Sequence, residues 1–92
     1  MDEDQIVADL RAKGRDDVVA ELANYEGRLE KSDLPPEQKS QNRKALWSVA
    51  EGAARPYLDP TMNMKLTALE LVSTSNPELA ASADRLRKML TA

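Results

Sequence analysis

From Ile6 onward the apolar residues fall at helical rather than alternating intervals, and the gaps between runs carry glycine, proline and acidic residues. Ile6, Val7 and Leu10 form a short stripe between an acidic first turn and Gly14, which can take the left-handed conformation that ends a helix, so the pattern predicts a helix over about 3–13. Val18, Leu22, Tyr25 and Leu29 then recur at four-three-four spacing behind Asp16 and Asp17, either of which can accept from the free amides of a first turn; this predicts a second helix over about 16–32. Asp33-Leu34-Pro35-Pro36 breaks the run and places proline where a missing amide costs least, so a third helix begins near Pro36. Its apolar face reads Leu46, Val49, Ala50, Ala53, Ala54 and Tyr57, with Trp47 and Leu58 on one flank, and Pro56 should end or kink it near Ala54. Asp59-Pro60 and Ser75-Asn76-Pro77-Glu78 repeat the cap-then-proline pattern and open helices over about 60–73 and 77–91, the last with Leu79, Ala83, Leu86 and Leu90 facing inward.

The expected fold class is therefore all-α: one domain over 1–92, a bundle of about five helices. Helices two and three should form an antiparallel hairpin whose contacting residues have numbers summing to about 69. Composition agrees with this pattern. Phenylalanine is absent, only Trp47, Tyr25 and Tyr57 are aromatic, and the dominant Ala, Leu, Glu, Lys and Arg are the residues that lose least on entering a helix.

Composition narrows the chemistry further. With neither cysteine nor histidine, the chain has no disulfide framework, no Ser-His or Cys-His nucleophile, and no thiolate or imidazole zinc site. The carboxylate pairs Asp2 and Asp4, Asp16 and Asp17, and Glu26 and Glu30 lack the alternating ligands and glycine of a calcium loop, and no Gly-rich phosphate cradle is present. No catalytic residue, metal or cofactor is assigned, and the chain is read as a non-enzyme. No run approaches the roughly 20 apolar residues of a membrane span, and the opening Met1-Asp2-Glu3-Asp4 is the reverse of a basic leader, so a soluble cytoplasmic protein without membrane contact is the expectation.

Charge is unevenly distributed: the first 33 residues carry ten acids against five bases, whereas 34–58 carry two against four. The hairpin register sets Leu22 opposite Trp47, Glu26 opposite Arg43 and Glu30 opposite Lys39. Lys39, Arg43 and Lys44, with Gln41, can then be read as a basic patch for phosphate or an acidic partner. They can equally be the polar end of the hairpin neutralised by Glu26 and Glu30, and the second reading is preferred because a charge run beside a matching opposite run is usually solvated structure. A helix-turn-helix built from the first two helices would present Asp16, Asp17 and Glu21 to phosphates, which counts against DNA. The cations Arg85, Arg87 and Lys88 are favoured near a helix C-terminus whether or not a ligand is present.

The fourth helix is apolar on two sides. Met62, Leu66 and Leu69 share one face at 100 degrees per residue; Met64, Ala68 and Leu71 share the roughly opposite one. Such a helix is either wrapped by its neighbours or touches another chain, and methionine is flexible enough to suit both a core gap and an adaptable contact. The functional expectation is a helical protein-interaction module, an adaptor or inhibitor that binds another protein or self-associates as a homodimer through Met64, Ala68 and Leu71. The alternative is a small nucleic-acid-associated regulator of the kind carried by mobile elements, using Lys39, Arg43 and Lys44 or the cations of the fifth helix.

Overall fold

A computed structural model describes residues 2–91. It contains five helices and, among the described residues, no strand: α1 (Glu3–Ala12), α2 (Asp16–Lys31), α3 (Pro36–Ala54), α4 (Met62–Val72) and α5 (Pro77–Leu90). Each boundary has a local cause. Asp2 accepts from the Gln5 amide to start α1. Gly14, at φ +74°, closes it with two backbone bonds, from its own amide to the Arg11 carbonyl and from Arg15 to that of Leu10, the paired C-terminal bonds that a left-handed residue permits. Prolines open α3 and α5, and Asn76 caps α5 by accepting from the amides of Glu78 and Leu79.

Two of the expected boundary contacts differ. Neither Asp16 nor Asp17 caps α2: the cap position is Arg15, whose guanidinium instead holds the Asp17 carboxylate at 3.1 Å. The fourth helix begins at Met62 rather than near Pro60, because the Asp59 carboxylate accepts from both the amide and the hydroxyl of Thr61 and tightens residues 59–61 into a turn. Tyr57 also leaves the apolar face assigned to it. Pro56 forces Arg55 into an extended conformation, so α3 ends at Ala54 and Tyr57 and Leu58 project into solvent, 60% and 90% exposed.

The core gathers Ile6 and Leu10 of α1, Val18, Leu22, Tyr25 and Leu29 of α2, Leu46, Trp47, Val49 and Ala50 of α3, Met62, Leu66 and Leu69 of α4, and Leu79, Ala83 and Leu86 of α5. Contacts run α1 to α2 and α3, α2 to α3 and α5, and α4 to α3 and α5. Helix α4 thus lies at an edge of the bundle, covered by two neighbours and open on its remaining side. The radius of gyration, 12.2 Å, is what this length gives when packed as a compact globule, roughly 12 Å. Among the described residues no helix is long and apolar enough to cross a membrane.

Between α2 and α3 the Glu26 carboxylate accepts from the Trp47 indole at 3.1 Å and lies 3.7 Å from Arg43, whose guanidinium reaches Glu30 at 2.7 Å. Lys39 donates to the backbone carbonyl of Glu30 rather than to its side chain. Arg43, one turn further along α3, is the cation that the Glu30 carboxylate binds.

Candidate functional site

Helix α4 divides sharply by face. Met62, Leu66 and Leu69 are buried, while Asn63, Met64, Thr67, Ala68 and Leu71 are exposed, Met64 by 72% and Leu71 by 67%. The three residues singled out in the sequence therefore share one solvent-facing surface. Asn63 and Thr67 widen it, a contribution that a search for apolar residues overlooks. None of the five carries a charge, in a chain of which 32% is charged.

The charged residues of α4 sit at the margins of this face and are taken up inside the molecule. Glu70 binds Arg87 of α5 through both carboxylate oxygens, at 3.0 and 2.7 Å. The same guanidinium donates to Asn63 at 2.6 Å and Thr67 at 2.9 Å, so one side chain clamps nearly two turns of α4 against α5. On the other margin Lys65 donates to Asp59 at 2.5 Å. Asp59 is itself buried, and it is held well below the usual carboxylate range first by the Lys65 bond and then by those from Thr61. Its carboxylate lies against Gly52 on α3 so closely that a Cβ there would collide with Oδ2; Met62 Cε and Lys65 Nζ would stand 3.0 and 3.2 Å from the same Cβ. The absent side chain at Gly52 lets Asp59 and the start of α4 lie close against α3.

The other candidate residues are placed differently. Of the patch Lys39, Arg43 and Lys44, Arg43 is committed to Glu26 and Glu30 and Lys39 to a carbonyl; Lys44 is exposed and forms no ion pair among the described residues. Arg43, Lys44, Ser40 and Glu3 rim a shallow hollow of about 290 Å³ beside Trp47. On α5, Arg85 binds Glu21 at 2.8 Å, Arg87 binds Glu70, and Lys88 lies 3.0 Å from Asp84, so each cation has an acidic partner.

Two buried polar networks connect the helices, and the sequence pattern names the partners in neither. Glu21 accepts from Ser82, Arg85 and Asn24 at 2.6, 2.8 and 2.9 Å. Burial pushes its carboxyl up, but these three donors outweigh that and leave it below the ordinary value. Asn42 donates to the Tyr25 hydroxyl and to the Val72 carbonyl, both at 3.0 Å, and accepts from Gln38 at 2.9 Å. The Tyr25 hydroxyl in turn lies 2.7 Å from Ser73 Oγ, which donates to the Leu69 carbonyl. These bonds fasten the C-terminus of α4 to α2 and α3. Burial raises the Tyr25 pKa, keeping the phenol neutral. Among the described residues no buried side-chain polar atom lacks a partner, and no three potential metal ligands converge.

Comparison with protein-family models, curated proteins and solved structures finds no match for this chain.

Proposed function

We propose that the protein is a helical interaction module, an adaptor or inhibitor that acts by binding protein, and that its contact surface is the open face of α4 formed by Met64, Ala68 and Leu71. The observation that carries this reading is the two-sidedness of α4. One side already supplies Met62, Leu66 and Leu69 to the core, while Met64 and Leu71 on the second side are left in solvent. Two large apolar side chains within one uncharged stripe form the kind of surface that association covers. The disposition of reactive groups also favours binding over catalysis: Tyr25, Ser73, Ser82 and Glu21 are all engaged in bonds that join helices.

Leu71→Lys and Leu69→Lys separate contact from core. At the exposed position leucine and lysine have similar helix propensity, and a surface change of this kind lies within about 0.5 kcal/mol, so Leu71→Lys should keep the wild-type melting temperature. At fully buried Leu69 an unpaired ammonium should cost several kcal/mol, a large part of the stability of such a domain. Affinity capture from the native host, run in parallel with wild type and Leu71→Lys, should show a protein retained by the first and lost by the second. A Leu71→Lys chain that folds normally and keeps every bound protein would refute the assignment.

A further inference from the structure

We infer that the occupant of the α4 face is a second copy of this chain, packed antiparallel about a two-fold axis that crosses α4 between Thr67 and Ala68. This rests on the reading of α4 as the contact surface and names what covers it.

Charge is the first argument. A surface that meets its own copy around a two-fold axis sets its central residues against themselves, so any net charge there faces its like. The exposed face of α4 holds Asn63, Met64, Thr67, Ala68 and Leu71, and its marginal charges are neutralised within the chain, Lys65 by Asp59 and Glu70 by Arg87. The Arg87 guanidinium that reaches Asn63 and Thr67 is balanced by Glu70, so the face carries no net charge to repel a copy. A different protein is commonly steered and selected by complementary charge, and this face offers no net charge for such a partner to read.

The order of side chains is the second argument. Met64 and Leu71 are equidistant from the midpoint of Thr67 and Ala68, about 5 Å to either side at the helical rise. An antiparallel two-fold there brings Met64 of each copy onto Leu71 of the other, twice over. At the crossing, Thr67 of each copy faces Ala68 of the other and the two Ala68 lie beside the axis, side chains small enough for two backbones to approach closely. The same arrangement sets each helix N-terminus beside the other copy's C-terminus, the favourable alignment of the two dipoles. The contact is short, since eleven residues extend about 16 Å, and it falls in the small, transient class of interface. The expected dimer therefore exchanges with monomer and depends on concentration.

Because the chain has no cysteine, single thiols report the arrangement directly. With purified full-length protein, Ala68→Cys should give a disulfide-linked dimer under mild oxidation, since bridged residues need Cα atoms within roughly 7 Å. Met64→Cys alone and Leu71→Cys alone should link poorly, and their mixture should link efficiently. Sedimentation velocity should show wild type passing from monomer to dimer as concentration rises, and Leu71→Lys remaining monomeric. Linking of Ala68→Cys no faster than of Lys44→Cys, an exposed position on α3, would overturn the proposal, and so would efficient self-linking of Met64→Cys, which marks a parallel pair. A wild-type chain that stays monomeric at every concentration while Leu71→Lys still abolishes capture of another protein would eliminate the second copy and leave the contact surface in place. Monomeric behaviour with unchanged capture would remove both.

Discussion

Alanine placed at Gly52 and at Gly27 should move stability in opposite directions, although both glycines lie inside helices. In an open helix interior, exchanging glycine for alanine stabilises by roughly 0.5–1 kcal/mol, because the unfolded chain loses freedom and the helix does not. Gly27 is exposed on α2, and a methyl group added there would meet nothing within 4 Å, so it should realise that gain, about 4–8 °C in melting temperature per kcal/mol for a domain of this size. At Gly52 the methyl would occupy space held by the Asp59 carboxylate and press on Met62 and Lys65. The carboxylate cannot swing aside without leaving Lys65 and Thr61, so the strain passes to the backbone of 55–61. Overpacking of a well-filled site costs typically about 1–3 kcal/mol; less the helical gain, Gly52→Ala should lose up to about 2.5 kcal/mol, with a mid-range value of about 1 kcal/mol. Thermal unfolding followed by circular dichroism at 222 nm measures both variants. The double variant Gly52→Ala, Asp59→Ala isolates the cause, since the methyl then has room and alanine at 52 should become stabilising in that background. If Gly52→Ala melts at or above the wild-type temperature, Asp59 does not lie on α3 as described and the account of how α4 is set is wrong.

Acid should unfold the protein through Asp59 and Glu21. Both carboxyls are held below their ordinary values when folded, so the unfolded chain binds more protons as pH falls; the stability they supply is complete above the ordinary carboxylate pKa, about 4, and is lost as pH drops through the folded values. Asp59→Asn should be less stable at neutral pH and show a flatter loss below about pH 4 in melting curves. Asn42→Ala should cost about 1–3 kcal/mol in denaturant unfolding, because it leaves the Val72 carbonyl without its donor and removes one bond from Tyr25. Arg43→Glu should cost no more than about 1 kcal/mol for each of its two partly exposed pairs, leaving the far-ultraviolet spectrum unchanged.

The helices are legible in the sequence because their signals are local: Gly14 closing α1, Pro36 and Pro77 opening α3 and α5, and Pro56 ending α3 at Ala54. Angular spacing sets Met64, Ala68 and Leu71 on the side of α4 opposite Met62, Leu66 and Leu69, but that this side is open rather than wrapped follows only from the place of α4 at the edge of the bundle. What the sequence hides depends on partners distant along the chain. Glu21 lies in the same stripe as Val18, Leu22 and Tyr25, and Asn42 one turn before Leu46, so each is visible as a polar residue on an apolar face; nothing in the neighbouring sequence names Ser82 and Arg85, or Val72, as what satisfies it. Asp59 has the sequence context of an ordinary helix cap, because its burial depends on a glycine seven residues earlier having no side chain. Tyr57 falls on the apolar face only if the periodicity of α3 is continued past the proline that stops it.

The pairing of α2 with α5 also bears on the order in which the molecule can assemble. Arg15 donates to the Met89 carbonyl, Glu21 binds Ser82 and Arg85, and Arg28 reaches Glu78, so α2 is matched along its length by the last of the five helices to be synthesised. A nascent chain that has reached Ser75 has made four helices, yet Glu21 is still without its α5 partners and the apolar stripe of α2 lacks the side that α5 covers. Closure across separations of fifty to seventy-four residues must wait for α5, and contacts so distant in sequence are slow to form. Until then the growing chain exposes apolar surface that the finished protein hides, and transiently exposed surface of this kind is what chaperones cover and aggregation recruits.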